Sequence, residues 1–309
     1  MLLFGPTGVG KTDILLRLFP GKGEIISADS MQIYRGMDIG TAKPERGLRA
    51  ELAHHLIDIR DPCERYSVGE VVADADRLAA DITRRDRLPV VSGGTAFYFK
   101  HFLLGLPDTP PSVPEVREGL RAELAKVGAA ALHAELACAD PEAAGRISTN
   151  DEYRILRALE VLRITGRPLS QFALPRAVRE RFAFLVIGLV RERDELHRRI
   201  DRRVDLMFER GLAEEVQSLL AAGYTFDDPG MKGIGYHEFT GRINGSADAS
   251  EGIRELVKRN SRRYAKRQIT FFRSLPLVRW YHAEDVDGIR EVVAHFVEET
   301  GPSLTDSMR

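Results

Sequence analysis

Short, continuous apolar runs alternate along the chain with stretches whose apolar residues recur every three or four positions. Leu2 to Phe4, "EIISAD" from Glu24 to Asp29 and "LPVVSGG" from Leu88 to Gly94 each read as a buried strand. "HLIDI" from His55 to Ile59 is a weaker strand pattern, and Phe182 to Val190 and Leu277 to Ala283 supply two more. Helical periodicity fills the intervals, as in Val68 to Asp86. Strands apolar on both faces, alternating with helices, predict an α/β fold with a parallel sheet covered on both sides.

The alternation stops at Pro107, Pro110, Pro111 and Pro114, a cluster that marks a boundary. Beyond it helix follows helix: Val116 to Val127, Ala129 to Cys138 and Asp151 to Ile164. The pattern predicts an all-helical insertion domain over residues 109–178, dividing the core into 1–108 and 179–309.

Composition changes this picture little. A chain of 309 residues, 43% hydrophobic and 29% charged, describes a soluble globular protein. Cys63 and Cys138 lie far apart with no C-x-x-C pair. They exclude a disulfide framework and a cysteine zinc site, and suit a reducing cytoplasm. Met1 stands within four residues of a glycine-rich loop, so no targeting segment is expected, and "AFLVIGLV" is too short to span a bilayer.

Charge distribution says more than the net value of −1. Between Glu251 and Arg273 stand Arg254, Lys258, Arg259, Arg262, Arg263, Lys266, Arg267 and Arg273, against only Glu251 and Glu255. Ile253, Leu256, Val257 and Tyr264 keep helical spacing there, so one face should pack while the other presents a cationic stripe suited to a polyanion. From Arg193 to Gly211 the charges nearly balance, and a solvated helix face is a sufficient reading.

Candidate chemistry begins at the first strand. Gly5, Pro6, Thr7, Gly8, Val9, Gly10, Lys11 and Thr12 follow it directly and fit G-x-x-x-x-G-K-[ST]. Glycines let backbone amides curl around an anion, Lys11 reaches the outer phosphates, and the Thr12 hydroxyl takes a place on Mg²⁺. This makes a P-loop NTPase-like core and a pyrophosphate site, without deciding between ATP, GTP and another diphosphate. Ligands in such sheets sit beyond the carboxyl ends of the strands, where "EIISADSMQIY" delivers Asp29 and Ser30 and "VVSGGTAFY" delivers Gly93, Gly94 and Thr95. Asp29 there is a metal-linked acid, a base facing a second substrate, or a helix cap; Thr95 is equally a cap. His54-His55 has no third ligand at metal spacing and reads as structural. The Asp-Glu strand end of motor ATPases and the N-K-x-D guanine reader are both missing from the sequence.

Seven segments in order resemble the bacterial-type tRNA dimethylallyltransferases, which isopentenylate an adenine beside the anticodon. They are "GPTGVGKT", "SADSMQIYRGMDIGTAKP", "HHLIDIRDP", "SGGTAFYFKHFLLGLP", "NDEYRILRALEVLRITGRPLS", "MKGIGYHEF" and "AKRQITFFR". The resemblance covers nearly the whole chain and implies that the loop holds the diphosphate of dimethylallyl diphosphate, with Mg²⁺ on Thr12. It implies catalytic roles for Asp29 as general base at the adenine amine, and for Thr95 and Lys11. It places tRNA contacts on Asp29, Ser30, Met31 and Gln32, on Arg117, and on Tyr153, Arg154 and Arg157. Others fall on Lys232, Gly233 and Tyr236, and on Arg263, Lys266, Arg267, Gln268, Thr270 and Arg273. The helical insertion would grip the tRNA anticodon stem, and a cytoplasmic monomer with no membrane partner is expected. One departure is "SGGT" for the more usual "VGGT", which puts the Ser92 hydroxyl near the site.

Overall fold

The computed structural model describes residues 1–19, 21–172, 174–241 and 247–301, with backbone alone at 247–249. The first half runs β1 (Leu2–Phe4), α1 (Lys11–Leu18), β2 (Gly23–Ser27), α2 (Arg46–Glu51), β3 (His54–His55), α3 (Val68–Arg84), β4 (Leu88–Gly93) and α4 (Ala96–Leu104). Three helices follow, α5 (Pro114–Ala139), α6 (Pro141–Arg146) and α7 (Glu152–Thr165). The chain then returns through β5 (Val186–Val190), α8 (Arg193–Glu209), α9 (Leu212–Ala221), α10 (Ala247–Phe272), β6 (Val278–His282) and α11 (Val286–Thr300).

All strand pairs are parallel, and among the described residues six strands stand in the order β3-β2-β4-β1-β5-β6. The central strand β1 pairs Phe4 with Gly93 on one side and Gly188 on the other. Its carboxyl end therefore opens between the ends of β4 and β5. Leu3, Ile25, Val90, Ile187 and Leu189 fill the face against α1, α8 and α11, while Phe4 stacks on Phe272 with ring centroids 4.2 Å apart. This is the parallel α/β sheet that the apolar runs predict.

Local chemistry sets the element ends. Helix α3 begins at a reciprocal cap, Ser67 accepting from the Glu70 amide and Glu70 reaching back to the Ser67 amide. Strand β3 is shorter than its sequence pattern, because Leu56 and Asp58 turn to positive φ. Lys43 and Arg49 both bind the Asp58 carboxylate, at 2.6 and 2.8 Å, and draw the chain out of the sheet. Strand β5 starts late too, since Phe182 and Phe184 instead cluster with Phe102.

The chain divides into two compact units, Met1–Leu103 with Arg179–Arg309, and Leu104–Val178. The second unit packs Leu120, Leu132, Leu136, Ile155, Leu156 and Leu159 around a core of its own. Helix α5 is interrupted at Gly128 (φ 80°, ψ 165°), between the two helices that the sequence pattern separates there.

Candidate active site

The loop from Gly5 to Gly10 connects β1 to the N-terminus of α1. Gly8 and Gly10 hold φ of 81° and 104°, a region costly for any side chain. Gly10 caps α1 without a side-chain hydrogen bond, so the positive end of the helix dipole faces the cavity. Lys11 folds back, its Nζ donating to the carbonyls of Gly5 (2.9 Å) and Pro6 (3.1 Å). Arg199 Nε donates to the Gly8 carbonyl at 2.9 Å and Arg191 Nε to that of Val9 at 2.8 Å. Anchoring these two carbonyls fixes their peptide planes.

A single cavity of about 550 Å³ runs from this loop across the strand ends to α8, α10 and the segment around Gly233. Thr7, Gly8, Gly10, Lys11 and Thr12 line one part of it; Gly5, Pro6 and Val9 lie buried behind them. Asp29, Ser30, Met31 and Gln32 line the middle. Lys232, Gly233, Arg267 and Gln268 line it as well.

Asp29 is held by its own turn. Its Oδ1 accepts the amides of Met31 (2.9 Å) and Gln32 (3.3 Å), and the residue lines the cavity. Thr95 braces the same turn, its hydroxyl oxygen accepting the Ser30 amide at 2.9 Å and its own amide donating to the Ala28 carbonyl at 3.1 Å. Tyr264 hydrogen-bonds to Thr95 and Gln268, and burial beside Asp29 pushes its hydroxyl up to about 12. Lys11 moves the other way. Burial, aided by the nearby Arg203 charge and opposed by Asp29, lowers it to about 8.

Behind Asp29 the long loop is locked down. Glu215 accepts the amides of Asp38, Ile39 and Gly40 at 2.8, 2.8 and 3.1 Å, and the Tyr236 hydroxyl at 2.6 Å. Buried Lys43 donates to the Tyr34 carbonyl and to Asp38 and Asp58.

Several residues expected at the tRNA do other work. Tyr236 is fully buried and holds Glu215, and Gln268 is 4% exposed with both ends of its amide engaged inside the protein. Arg117 is 7% exposed in the helical unit, bound to Glu160 at 3.0 Å beneath the Tyr153 ring, and Arg157 binds the same carboxylate at 2.8 Å. These four side chains are buried or already paired within the protein. Tyr153 and Arg154 are exposed.

The basic helix is likewise divided. Lys258 pairs with Asp205 and Arg262 with Asp201, both acids of α8, and Arg254 lies over the Phe208 ring. Arg259, Arg263, Lys266, Arg267 and Arg273 are exposed and have no ion pair among the described residues, and Thr270 lies exposed among them.

Sequence reasoning missed Arg199 and Arg203, both at the cavity, because the charges of α8 balance overall. A signal was present: each arginine directly precedes a core residue, Ile200 or Val204, so a four-residue repeat of cations flanks the buried stripe. Arg203 donates to the Thr41 carbonyl at 3.3 Å, and burial lowers its pKa against the pull of Asp29. Among the described residues, no cluster of three or more His, Cys, Asp or Glu side chains could hold a metal ion.

A family model described as IPP transferase matches residues 32–275. The chain belongs to that family. It is 43% identical over 299 residues to the tRNA dimethylallyltransferase of Geobacter sulfurreducens, covering 96% of each chain. Over 306 residues it is 43% identical to that of Heliobacterium modesticaldum, covering 96% of this chain and 95% of the relative. Among solved structures it superposes on the full-length tRNA isopentenylpyrophosphate transferase of Bacillus halodurans (TM-score 0.67, 38% identity, 96% of both chains). It also superposes on a eukaryotic dimethylallyltransferase acting on tRNA (TM-score 0.81, 25% identity, 97% of this chain and 79% of that one). Membership places the cavity in a family of prenyl-transferring enzymes, and so accounts for a phosphate loop without the ATPase strand end.

Proposed function

We propose that this chain transfers the dimethylallyl group of dimethylallyl diphosphate to the N6 amine of adenosine 37 in tRNA, beside the anticodon. The observation that carries the reading is the carboxylate of Asp29, fixed by two backbone amides, facing the same cavity as the phosphate loop. In the reaction the bond from C1 to the bridging oxygen breaks and its electron pair leaves with diphosphate. The N6 lone pair forms the new bond to C1, and an N6 proton passes to the Asp29 carboxylate. Loop amides, the α1 dipole, Lys11 and the guanidiniums of Arg199 and Arg203 favour the departing charge. Thr95, through Ser30, keeps the base in place.

The site fits a magnesium ion. Thr12 is exposed on the first turn of α1, and Mg²⁺ takes one or two protein oxygens while keeping waters and substrate phosphate oxygens. Thr12 would help hold the ion, which would supply neutralisation of charge on the leaving group.

The exposed cations of α10 offer a path for the phosphates of an anticodon stem-loop, and adenine reaches the cavity by swinging out of its stack. Tyr153 and Arg154 support a grip on the stem by the helical unit. A single chain supplies every residue of this arrangement, which supports a monomer. Among the described residues no helix is long and apolar enough to cross a membrane, which accords with work on tRNA in the cytoplasm.

The test is transfer of label from dimethylallyl diphosphate to an anticodon stem-loop in the presence of Mg²⁺, with AMP as alternative acceptor and ATP as alternative donor. Label in the stem-loop is expected, with Asp29→Asn lowering turnover about 10² to 10⁴-fold at unchanged stem-loop affinity. Label in AMP alone, or phosphoryl transfer from ATP, overturns the reading. Full turnover by Asp29→Asn overturns the base.

A further inference from the structure

Gln268 lies on α10, between two exposed cations and its own buried partners. Its Oε1 accepts the amide of Thr7, inside the phosphate loop, at 2.9 Å. Its Nε2 donates to the carbonyl of Gly94, at the end of β4, at 2.7 Å. One amide thus spans two segments 87 positions apart in sequence. The chemistry of the partners fixes its orientation, because reversing oxygen and nitrogen would set donor against donor and acceptor against acceptor.

We propose that Gln268 is a positioning residue that sets the separation between the phosphate loop and the Asp29 turn. This rests on the proposed transfer reaction. A hydrogen-bonded path runs from Thr7 through Gln268 to Gly94. The next residue, Thr95, holds the Ser30 amide, and Ser30 adjoins Asp29. The loop takes the leaving group and Asp29 takes the proton, so their distance must match the distance between the diphosphate and N6 in the transition state. A misplacement of an ångström costs rate even where each group is intact.

Other side chains fail for simple reasons. Glutamate lacks the donor for Gly94, lysine and arginine lack the acceptor for Thr7, and asparagine is one methylene too short. Gly94 is matched to this strut, since a Cβ there would stand 2.6 Å from Gln268 Nε2. At 4% exposure, with both ends engaged, the side chain is poorly placed to touch RNA.

The experiment measures three quantities on the whole protein: binding of inorganic pyrophosphate with Mg²⁺ by calorimetry, binding of the stem-loop, and kcat at saturation with both substrates. Gln268→Met keeps the length and removes the hydrogen bonds to Thr7, Gly94 and Tyr264. It should weaken pyrophosphate about tenfold, the size of one buried hydrogen bond, and lower kcat by at least as much, with stem-loop affinity within twofold of wild type. Gln268→Asn should behave like Gln268→Met. Should Gln268→Met fail to fold, Gly94→Ala, which crowds the same amide, should give the same shifts. Wild-type behaviour of Gln268→Asn, or unchanged pyrophosphate affinity in Gln268→Met, overturns the strut. So does a loss confined to stem-loop affinity, which would make Gln268 an RNA contact. Pyrophosphate binding needs no turnover, so failure of wild type to transfer label at all would strike the proposed reaction and leave this test standing.

Discussion

Lys11 shows how far one side chain's chemistry depends on its surroundings. Its ammonium is withdrawn from water into a loop it also braces, and burial, with Arg203 nearby, brings it down to about 8. A bound diphosphate favours the charged form, so binding raises this pKa and affinity is greatest where Lys11 is already protonated. Affinity for inorganic pyrophosphate should therefore hold below about pH 7 and fall as pH rises through about 8. Lys11→Ala should lose at least tenfold in affinity and also lose that step. Calorimetric titrations of both proteins across the range, compared as a difference, separate the lysine from the ligand's own ionisation. The motif made Lys11 and Thr12 legible in the sequence. Arg199 and Arg203 left only the faint signal of their spacing beside the buried stripe of α8, and Gln268 left none in this role, because its bonds to Thr7 and Gly94 are tertiary contacts that no local pattern encodes.

At the scale of elements, periodicity located the strands and most helices, and tertiary bonds moved their ends. β3 ends early for the Asp58 carboxylate, and β5 starts late for an aromatic cluster. The sequence of α10 predicts one packed face and one dense cationic stripe. Pairing with α8 removes Lys258 and Arg262 from it and leaves the C-terminal half to face solvent. Replacing Arg263 and Lys266 together by alanine should reduce the slope of log Kd against log salt for the stem-loop by about 1 to 2. An unchanged slope would assign the surface to something other than RNA.

Helix α7 makes a different point. Glu160 is fully buried and accepts from Ser112, the Val113 amide, Arg117 and Arg157. Burial alone would raise its pKa, but the Ser112 and Arg157 bonds and the charges of Arg157 and Arg117 outweigh it and hold the carboxyl below its usual value. Its folded pKa being the lower one, the stabilisation is present above the unfolded value near 4.5 and disappears as pH falls below it. Glu160→Ala should cost about 3 to 5 kcal/mol, the penalty for stranding a buried partner, in urea unfolding at neutral pH.

Across the whole molecule there are two cores, the second inserted in the sequence of the first, and they differ in composition. The sheet core mixes leucine with many isoleucines and valines, while the buried cluster of Leu104–Val178 is leucine and alanine with Ile155. Leu159→Ala, in the helical core, should cost about 2 to 5 kcal/mol. Hydrogen exchange should show that loss in α5 and α7, with protection of β1, β4 and β5 unchanged. Loss of protection in both units would show a single cooperative fold.

The Glu215 carboxylate carries a consequence for how such chains are catalogued. It reads three consecutive amides and one phenol, so much of the string "DSMQIYRGMDIGTAKP" records the shape of a loop rather than the reaction performed beside it. A chain with asparagine at position 29 would keep every one of these contacts and nearly all of the string. Counted by signature, it would pass as a working enzyme; counted by its ability to take a proton, it would not.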